Sequence, residues 1–245
     1  MEGQGGHLNR LKRQIVLAAC AAGEGHIASA FSVLDMLWIL YDQVLRFDPK
    51  NPRSDERDRF VLSKGHGSLA LYAVLAEKGF FPAAELEGFA EFHSRLGGHP
   101  DCNKVPGVEA STGSLGHGLP MGVGMGLRIR KIDRRVVVLV GDGECNEGSI
   151  WEAALLAAHH HLANLTCIVD YNHSTDRALL MGDIASKFAS FGWVASGING
   201  HDHDALLEAL TRGRQDRPTV IVAETVKGFG CKIMESAYPL GSSDH

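Results

Sequence analysis

The feature that most constrains the fold is a valine-rich segment that runs directly into a glycine-rich turn. Residues 135–140 contain four valines and one leucine, and a run so continuously apolar is typical of a parallel strand buried on both faces. The run GDGECNEG follows at 141–148, and a helix is expected to begin near Ser149. A buried strand that turns sharply into a helix indicates an α/β protein.

The turn after this strand places a carboxylate where a phosphate would otherwise bind. Backbone amides at a strand-to-helix turn favour a phosphate, whereas Asp142 would repel one unless a cation lay between them. A hard divalent ion such as Mg²⁺ could take oxygen ligands from Asp142 and from the amide of Asn172. One helix and one strand separate the two residues, so we expect them at the carboxyl ends of adjacent parallel strands. An isolated GDG, however, is more often an ordinary turn.

Hydrophobic periodicity predicts strands that alternate with helices. Helices are predicted at about 8–22, 28–42, 67–79, 84–94, 114–131, 149–162 and 203–213, and strands at 60–63, 136–140, 166–170, 193–195 and 219–223. No Pro/Gly/Ser-rich linker divides the chain. We therefore expect one α/β domain over residues 1–245, with a parallel sheet covered by helices on both faces.

The composition of the chain argues against some classes of binding partner and favours one cellular compartment. A net charge of -5 argues against a nucleic-acid surface. The five cysteines form no CxxC pair, which favours a reducing cytoplasm. No run approaches the roughly 18 to 20 continuous apolar residues that span a bilayer, so no membrane is expected. The basic start and short apolar stretch at 10–22 could imitate a secretion signal, but an amphipathic first helix explains the same residues.

A series of ordered motifs extends the pattern beyond the turn. The runs GDGExxEG (141–148), WEAA (151–154), LxNL (162–165) and DxN (170–172) resemble the thiamine diphosphate signature of the transketolase family. Other matching runs, in the family's order, are GH (25–26), RDRFVLSKGHG (57–67), GHP (98–100), PGVE (106–109), STGSLG (111–116), NGHD (199–202) and TVKG (225–228). The resemblance runs from about residue 10 to about residue 235.

The resemblance implies a cofactor, a metal ion and a set of site residues. The cofactor would be thiamine diphosphate with Mg²⁺, for which Ca²⁺ or Mn²⁺ are alternatives, and the metal ligands would be Asp142, Asn172 and the main-chain carbonyl of Ser174. The implied cofactor contacts are His66, Gly113, Ser114, Leu115, Asp142, Gly143, Asn172 and Lys227. The implied catalytic residues are His26, His66 and His99, and the implied substrate contacts are His26, Ser29 and His99. Imidazole suits proton transfer near neutral pH.

The resemblance also implies a missing partner. A single-chain transketolase has three domains, and this chain matches only the first, diphosphate-binding one. The glutamate that activates the cofactor lies in a separate pyrimidine-binding domain. The chain is therefore expected to be the N-terminal subunit of a split transketolase that transfers a two-carbon ketol unit from a ketose or ketose phosphate to an aldose or other acceptor. It would be active only with a C-terminal subunit that supplies the glutamate, in an α2β2 assembly.

Several positions depart from the family pattern and leave the substrate open. His173 and Ser174 follow Asn172 where Gln and Asp are usual, and His117 replaces a Gln. The Trp-His-Gly expected near the end is absent, with His245 as a displaced equivalent or a frayed terminus. Alternatives are a silent scaffold subunit, a subunit like those of deoxyxylulose-phosphate synthase or the dehydrogenase E1 enzymes, and, more remotely, an NAD-dependent dehydrogenase.

Three further expectations concern residues at the edge of the pattern. Gly122, Gly124 and Gly126 are expected to permit close helix packing. His201 and His203 could form a zinc pair, but a helix N-cap by Asp202 or Asp204 is favoured. Lys227 could be a solvated lysine instead of a cofactor contact.

Overall fold

The computed structural model describes residues 4–176, 178–212 and 216–237. The helices are α1 (Gln4–Ala22), α2 (Ile27–Ile39), α3 (Ser68–Glu77), α4 (Gly118–Ile129), α5 (Gly148–His159), α6 (Ile184–Ser190), α7 (His203–Thr211) and α8 (Lys232–Ala237). The strands are β1 (Arg59–Leu62), β2 (Val136–Gly141), β3 (Leu165–Tyr171), β4 (Val194–Asn199) and β5 (Thr219–Glu224). A short π-helix, Leu40–Val44, extends α2, and 3₁₀ turns cover Gly65–Gly67, Ala83–Gly88 and Asp142–Asn146.

The five strands form one parallel sheet in the order β1-β2-β3-β5-β4. Alternating side chains of β2 enter two separate cores. Val137 and Leu139 pack in a core that includes residues of α1, α2, α3 and α7, whereas Val138 packs in a core that includes residues of α4, α5 and α6. The predicted fold class, a parallel sheet covered by helices on both faces, is confirmed.

Some predicted boundaries are wrong for local reasons. The helix predicted at 84–94 is only the short 3₁₀ turn Ala83–Gly88, and Ala90, with φ at 60°, interrupts the helical path. The helix predicted from residue 114 begins at Gly118, because Gly116 takes a left-handed conformation with φ at 77°. Helices α6 and α8 were not predicted, since each spans only 6 or 7 residues and shows too few turns to establish a period.

One segment bears on the expectation about membrane spans. Within the described ranges, Ile27–Val44 is the one helical segment long and apolar enough to cross a bilayer by length and composition. Buried Ser29, Ser32 and Asp35 interrupt its apolar run, which is why a search for continuous apolar residues misses it. Since 78% of the segment is buried inside the fold, it has the properties of a core helix.

The glycines of α4 differ in what surrounds them. A Cβ on Gly122 would lie 2.4 Å from Cγ2 of Val138 on β2, so this glycine permits the close approach of α4 to the sheet. A Cβ on Gly126 would meet Leu162 at 3.4 Å, and one on Gly124 would meet nothing within 4 Å. The expectation of close packing therefore holds for Gly122 and is wrong for Gly124.

This difference supplies a matched pair of variants. We expect Gly122→Ala to lower the free energy of unfolding by about 1–3 kcal/mol, because the added methyl overpacks the contact with Val138. Gly124→Ala should raise it by about 0.5–1 kcal/mol, because alanine favours an exposed helix interior. Urea denaturation followed by circular dichroism measures both changes. Equal effects of the two substitutions would contradict the assigned packing.

Candidate functional site

The predicted site residues lie where the parallel strands end. Gly141 of β2 is paired with Asp170 of β3, so Asp142 and Asn172 leave adjacent strands at the same edge of the sheet. The loops after β1 and β5 and the glycine loop at 111–117 surround the same edge. Carboxyl ends of parallel strands are where open α/β sheets bind ligands.

The three predicted metal-binding residues converge on one peptide unit. The main-chain N–H of Ser174 donates to Oδ2 of Asp142 at 2.9 Å and to Oδ1 of Asn172 at 3.2 Å. The hydroxyl of Ser174 also donates to Oδ1 of Asn172. Gly143 N–H donates to the other oxygen of Asp142 at 2.8 Å, and a Cβ on Gly143 would meet Thr175 at 2.9 Å. The two loops are therefore closely apposed around Asp142 and Asn172.

The chemistry of these donors fits a hard divalent cation. Burial raises the pKa of Asp142, and the nearby Asp170 adds to this effect, although the amide of Gly143 opposes it. A cation would relieve the cost of ionising this carboxylate. The described residues contain no cluster of three His, Cys, Asp or Glu side chains suited to a metal. One carboxylate, one amide oxygen and one main-chain carbonyl are the ligands of Mg²⁺ or Ca²⁺ more than of zinc.

Asp170 organises the base of the site. It is fully buried, and its Oδ2 accepts hydrogen bonds from Lys64, from Ser32 at 2.8 Å and from Nδ2 of Asn172 at 3.3 Å. Its Oδ1 accepts from the hydroxyl of Thr225. The amide of Asn172 is thereby oriented, because Nδ2 faces Asp170 and Oδ1 faces Ser174. The sequence placed Asp170 only within a motif and assigned it no role.

Glu144 links three segments of the site. It is 1% exposed, and its Oε1 accepts from the hydroxyl of Ser63 at 2.6 Å and from the N–H of Gly116 at 3.0 Å. Its Oε2 accepts from the N–H of Gly141 at 3.1 Å. Burial raises the pKa of Glu144, and these hydrogen bonds oppose that rise. Glu144 thus joins the end of β1, the glycine loop and the turn that follows β2.

The three predicted catalytic histidines lie side by side. The ring centroids of His26 and His66 are 4.1 Å apart, and those of His66 and His99 are 5.5 Å apart. Glycines admit the third ring, since a Cβ on Gly65 or Gly113 would lie 2.5 or 2.8 Å from Cδ2 of His99. Ser29, on the first turn of α2, is buried three residues after His26. Among these predicted catalytic and substrate residues, the imidazoles form one continuous cluster.

Electrostatics keep two of these imidazoles neutral near pH 7. Burial lowers the pKa of His26 and of His66, and the charges of neighbouring histidines and of Lys227 lower both pKa values further. Neutral imidazole can both accept and donate a proton, as proton transfer at a sugar hydroxyl requires.

The lowered pKa values predict a pH dependence of stability. Below the ordinary histidine pKa of about 6.5, the unfolded chain binds protons that folded His26 and His66 do not, so their contribution to stability decreases as the pH falls toward their lowered values. His173 and His203 have raised pKa values and act in the opposite direction, so the comparison must be with a variant. We expect His26→Gln/His66→Gln to lose less stability than the wild type between pH 6.5 and pH 5. Parallel urea curves at each pH measure this, and identical pH slopes would contradict it.

The remaining predicted cofactor contacts border this cluster. Burial lowers the pKa of Lys227, and the charge of Lys64 lowers it further, whereas Asp142 and Asp170 raise it. Lys227 is therefore electrostatically coupled to the predicted metal-binding carboxylate, unlike a fully solvated lysine.

Two predicted contacts to the cofactor rings are open to solvent. Ser114 and Leu115 are exposed at the tip of the glycine loop, with Leu115 46% exposed. His245 lies outside the described residues.

The histidines around Asp202 have partners that the sequence did not predict. Asp202 caps α7 by accepting from the N–H groups of Asp204 and Ala205, which confirms the favoured expectation. His201 and His203 both bind the buried carboxylate of Asp35 on α2, and this arrangement replaces the zinc pair that the sequence left open.

Comparisons with known proteins give the family. Residues 9–242 match the family model described as "Transketolase, thiamine diphosphate binding domain". Ferredoxin fas2 of Rhodococcoides fascians is 47% identical over 83% of this chain and 68% of that protein. The 6-deoxy-6-sulfo-D-fructose transketolase subunit SqwG of a Clostridium strain is 37% identical over 87% of this chain and 81% of that protein.

The solved structures agree with this match. The transketolase from Leishmania mexicana superposes with a TM-score of 0.88 and 28% identity over 98% of this chain, which covers 40% of the transketolase chain. The name ferredoxin does not extend to this chain, because its five cysteines are scattered at positions 20, 102, 145, 167 and 231. The chain belongs to the transketolase family, in which it corresponds to the thiamine diphosphate binding domain.

Proposed function

We propose that this chain is the N-terminal, cofactor-binding subunit of a two-chain transketolase. The chain is 37% identical to a relative named as a transketolase subunit, over 81% of that relative, which supports the assignment as a subunit. The single observation that carries the cofactor assignment is the convergence of Asp142 and Asn172 on the N–H of Ser174 at the edge of the sheet.

The metal and diphosphate would bind at this edge. Asp142, Asn172 and the main-chain carbonyl of Ser174 would hold Mg²⁺, and His66 and Lys227 would contact the diphosphate. Gly113, Ser114 and Leu115 would lie against the rings of the cofactor, with Gly143 beside the metal. Thiamine diphosphate supplies the electron sink that accepts a two-carbon fragment when a ketose C–C bond is cleaved.

The histidine cluster would handle protons and substrate. Burial disfavours the charged forms of His26 and His66, so both rings are neutral when substrate arrives. A neutral imidazole could take a proton from a sugar hydroxyl and return it to a carbonyl oxygen. His99, whose ring lies against Gly65 and Gly113, and Ser29 would bind hydroxyls of the donor. The substrates are a ketose or ketose phosphate and an aldehyde acceptor; one relative is named for a sulfonated sugar, so the acidic group on the sugar is left open.

A partner subunit would complete the active site. A C-terminal subunit with a pyrimidine-binding domain would bring the glutamate that activates the cofactor, in an α2β2 assembly. A cytoplasmic location and the absence of nucleic-acid or membrane partners remain predictions from composition and cysteine usage.

Calorimetry on the full chain tests the cofactor assignment. We expect thiamine diphosphate to bind in the presence of Mg²⁺ and not in the presence of EDTA, whereas NAD should not bind. Binding of NAD without thiamine diphosphate would favour a dehydrogenase instead.

An activity assay tests the need for a partner subunit. Mixing the chain with a pyrimidine-domain protein encoded beside it should yield ketol transfer that neither chain shows alone. Ketol transfer by this chain alone would refute the two-chain assignment.

A further inference from the structure

A carboxylate lies in the middle of the apolar helix α2 and is not explained by the predicted site. Asp35 is 3% exposed, and its two oxygens accept hydrogen bonds from Nδ1 of His201 at 2.9 Å and Nε2 of His203 at 2.8 Å. Burial alone would raise the pKa of Asp35, but the two histidine bonds outweigh it and hold that pKa below its usual value. Asp35 is therefore a charged acceptor inside the core that orients both imidazoles.

One of these imidazoles reaches the loop after β5. Nε2 of His201 accepts the main-chain N–H of Val226 at 2.9 Å. Because Nε2 is the acceptor, Nδ1 carries the proton that is donated to Asp35, and the tautomer is fixed. The ring of His201 also stacks on Phe229, with centroids 3.6 Å apart and planes 13° apart. His201 thus contacts this loop on both sides of Lys227.

The same loop is held against the start of α2. Gly228 N–H donates to the carbonyl of Ala28 at 3.0 Å, and Nζ of Lys12 donates to the carbonyl of Phe229 at 2.8 Å. Gly228 has φ at 85°, and a Cβ there would lie 2.5 Å from Cβ of Met234, so the path of the loop is fixed. Lys227 lies between two anchored residues, Val226 and Gly228, and Ala28 is adjacent to Ser29.

We propose that His201, oriented by Asp35, is a positioning residue that fixes the Lys227 loop against α2 and so aims Lys227 at the anionic cofactor. This inference rests on the proposed function for the role of Lys227. His203 shares Asp35 but has no bond to the loop, so it stabilises the carboxylate without positioning the lysine. Two histidines on one carboxylate therefore have separable roles.

Two substitutions of His201 each keep one of its two hydrogen bonds and remove the other. Asn can reproduce the Nδ1 donor to Asp35 but has no atom at the Nε2 position, whereas Gln can place an acceptor near Val226 and loses the donor position. We expect His201→Asn to weaken the binding of thiamine diphosphate in Mg²⁺ by about tenfold and His201→Gln to weaken it by less than about threefold. Calorimetry on the full chain measures both dissociation constants.

A double-substitution cycle separates positioning from general stability. In a Lys227→Met background, His201→Asn should change affinity by less than about twofold, because the lysine through which it acts is gone. His203→Ala should lower the melting temperature and leave affinity unchanged. A full tenfold effect of His201→Asn in the Lys227→Met chain, or equal affinities of the Asn and Gln variants, would overturn the proposal.

A readout without cofactor distinguishes this inference from the proposed function. The rate at which acetic anhydride modifies Lys227, followed by mass spectrometry, should rise in His201→Asn and stay at the wild-type value in His201→Gln. If the wild-type chain fails to bind thiamine diphosphate, the proposed function falls. The positioning of Lys227 by His201 then stands only if these acetylation rates differ as stated, and equal rates refute it.

Discussion

Replacing Asp142 by alanine should lower the affinity of this chain for thiamine diphosphate in Mg²⁺ by about a hundredfold or more. Asp142 is the one carboxylate in the predicted donor set, and it is only 4% exposed. Its removal leaves an amide and a main-chain carbonyl to hold a doubly charged ion beside a diphosphate. Calorimetric titration with thiamine diphosphate, in Mg²⁺ and in EDTA, measures the loss.

Two other alanine variants serve as controls, one at the site and one at an exposed carboxylate that caps α6. Ser174→Ala keeps the main-chain carbonyl that the proposal uses, so its affinity should change by less than about fivefold. Asp183→Ala removes an exposed N-cap carboxylate of α6, which accepts from Ser186, and should lower the melting temperature slightly without changing affinity. Should Asp142→Ala bind as the wild type does, the metal would have to bind elsewhere and the assignment would fail.

The sequence predicted the parts of the fold that depend on local pattern. Continuous valines specify β2 as a buried strand, and the regular alternation of strands and helices predicts the parallel sheet. The convergence of Asp142 and Asn172 follows from topology alone, because adjacent parallel strands must end at one edge. Short α6 and α8 gave no such signal, and the helix predicted at 84–94 stops as a 3₁₀ turn at Gly88, before the left-handed Ala90.

The polar network beneath the site could not be predicted in the same way. Asp170 binds Ser32, Lys64 and Thr225, and these lie far apart in the sequence on three different segments. Asp35 and His201 are separated by most of the chain. No spacing rule relates such residues, because only the folded packing brings them together. A buried carboxylate in an apolar run, as at Asp35, is the one local signal that a distant partner must exist.

The second large effect concerns stability and follows from that network. Lys64→Met should lower the free energy of unfolding by about 3–5 kcal/mol, because it leaves the fully buried Asp170 without its cation. The hydroxyls of Ser32 and Thr225 remain as donors but carry no charge to offset that of the carboxylate. Urea denaturation at neutral pH, followed by circular dichroism, measures the change.

The reciprocal substitution separates the ion pair from simple packing. Asp170→Asn alone leaves Lys64 buried without its anion, so it too should destabilise the fold, whereas Lys64→Met/Asp170→Asn removes both charges and should lose less stability than the sum of the single substitutions. The double variant regains stability in this way only if each buried charge destabilises the fold when its partner is absent. Strict additivity, or a loss below about 1 kcal/mol for Lys64→Met, would show that the buried pair does not stabilise the floor of the site.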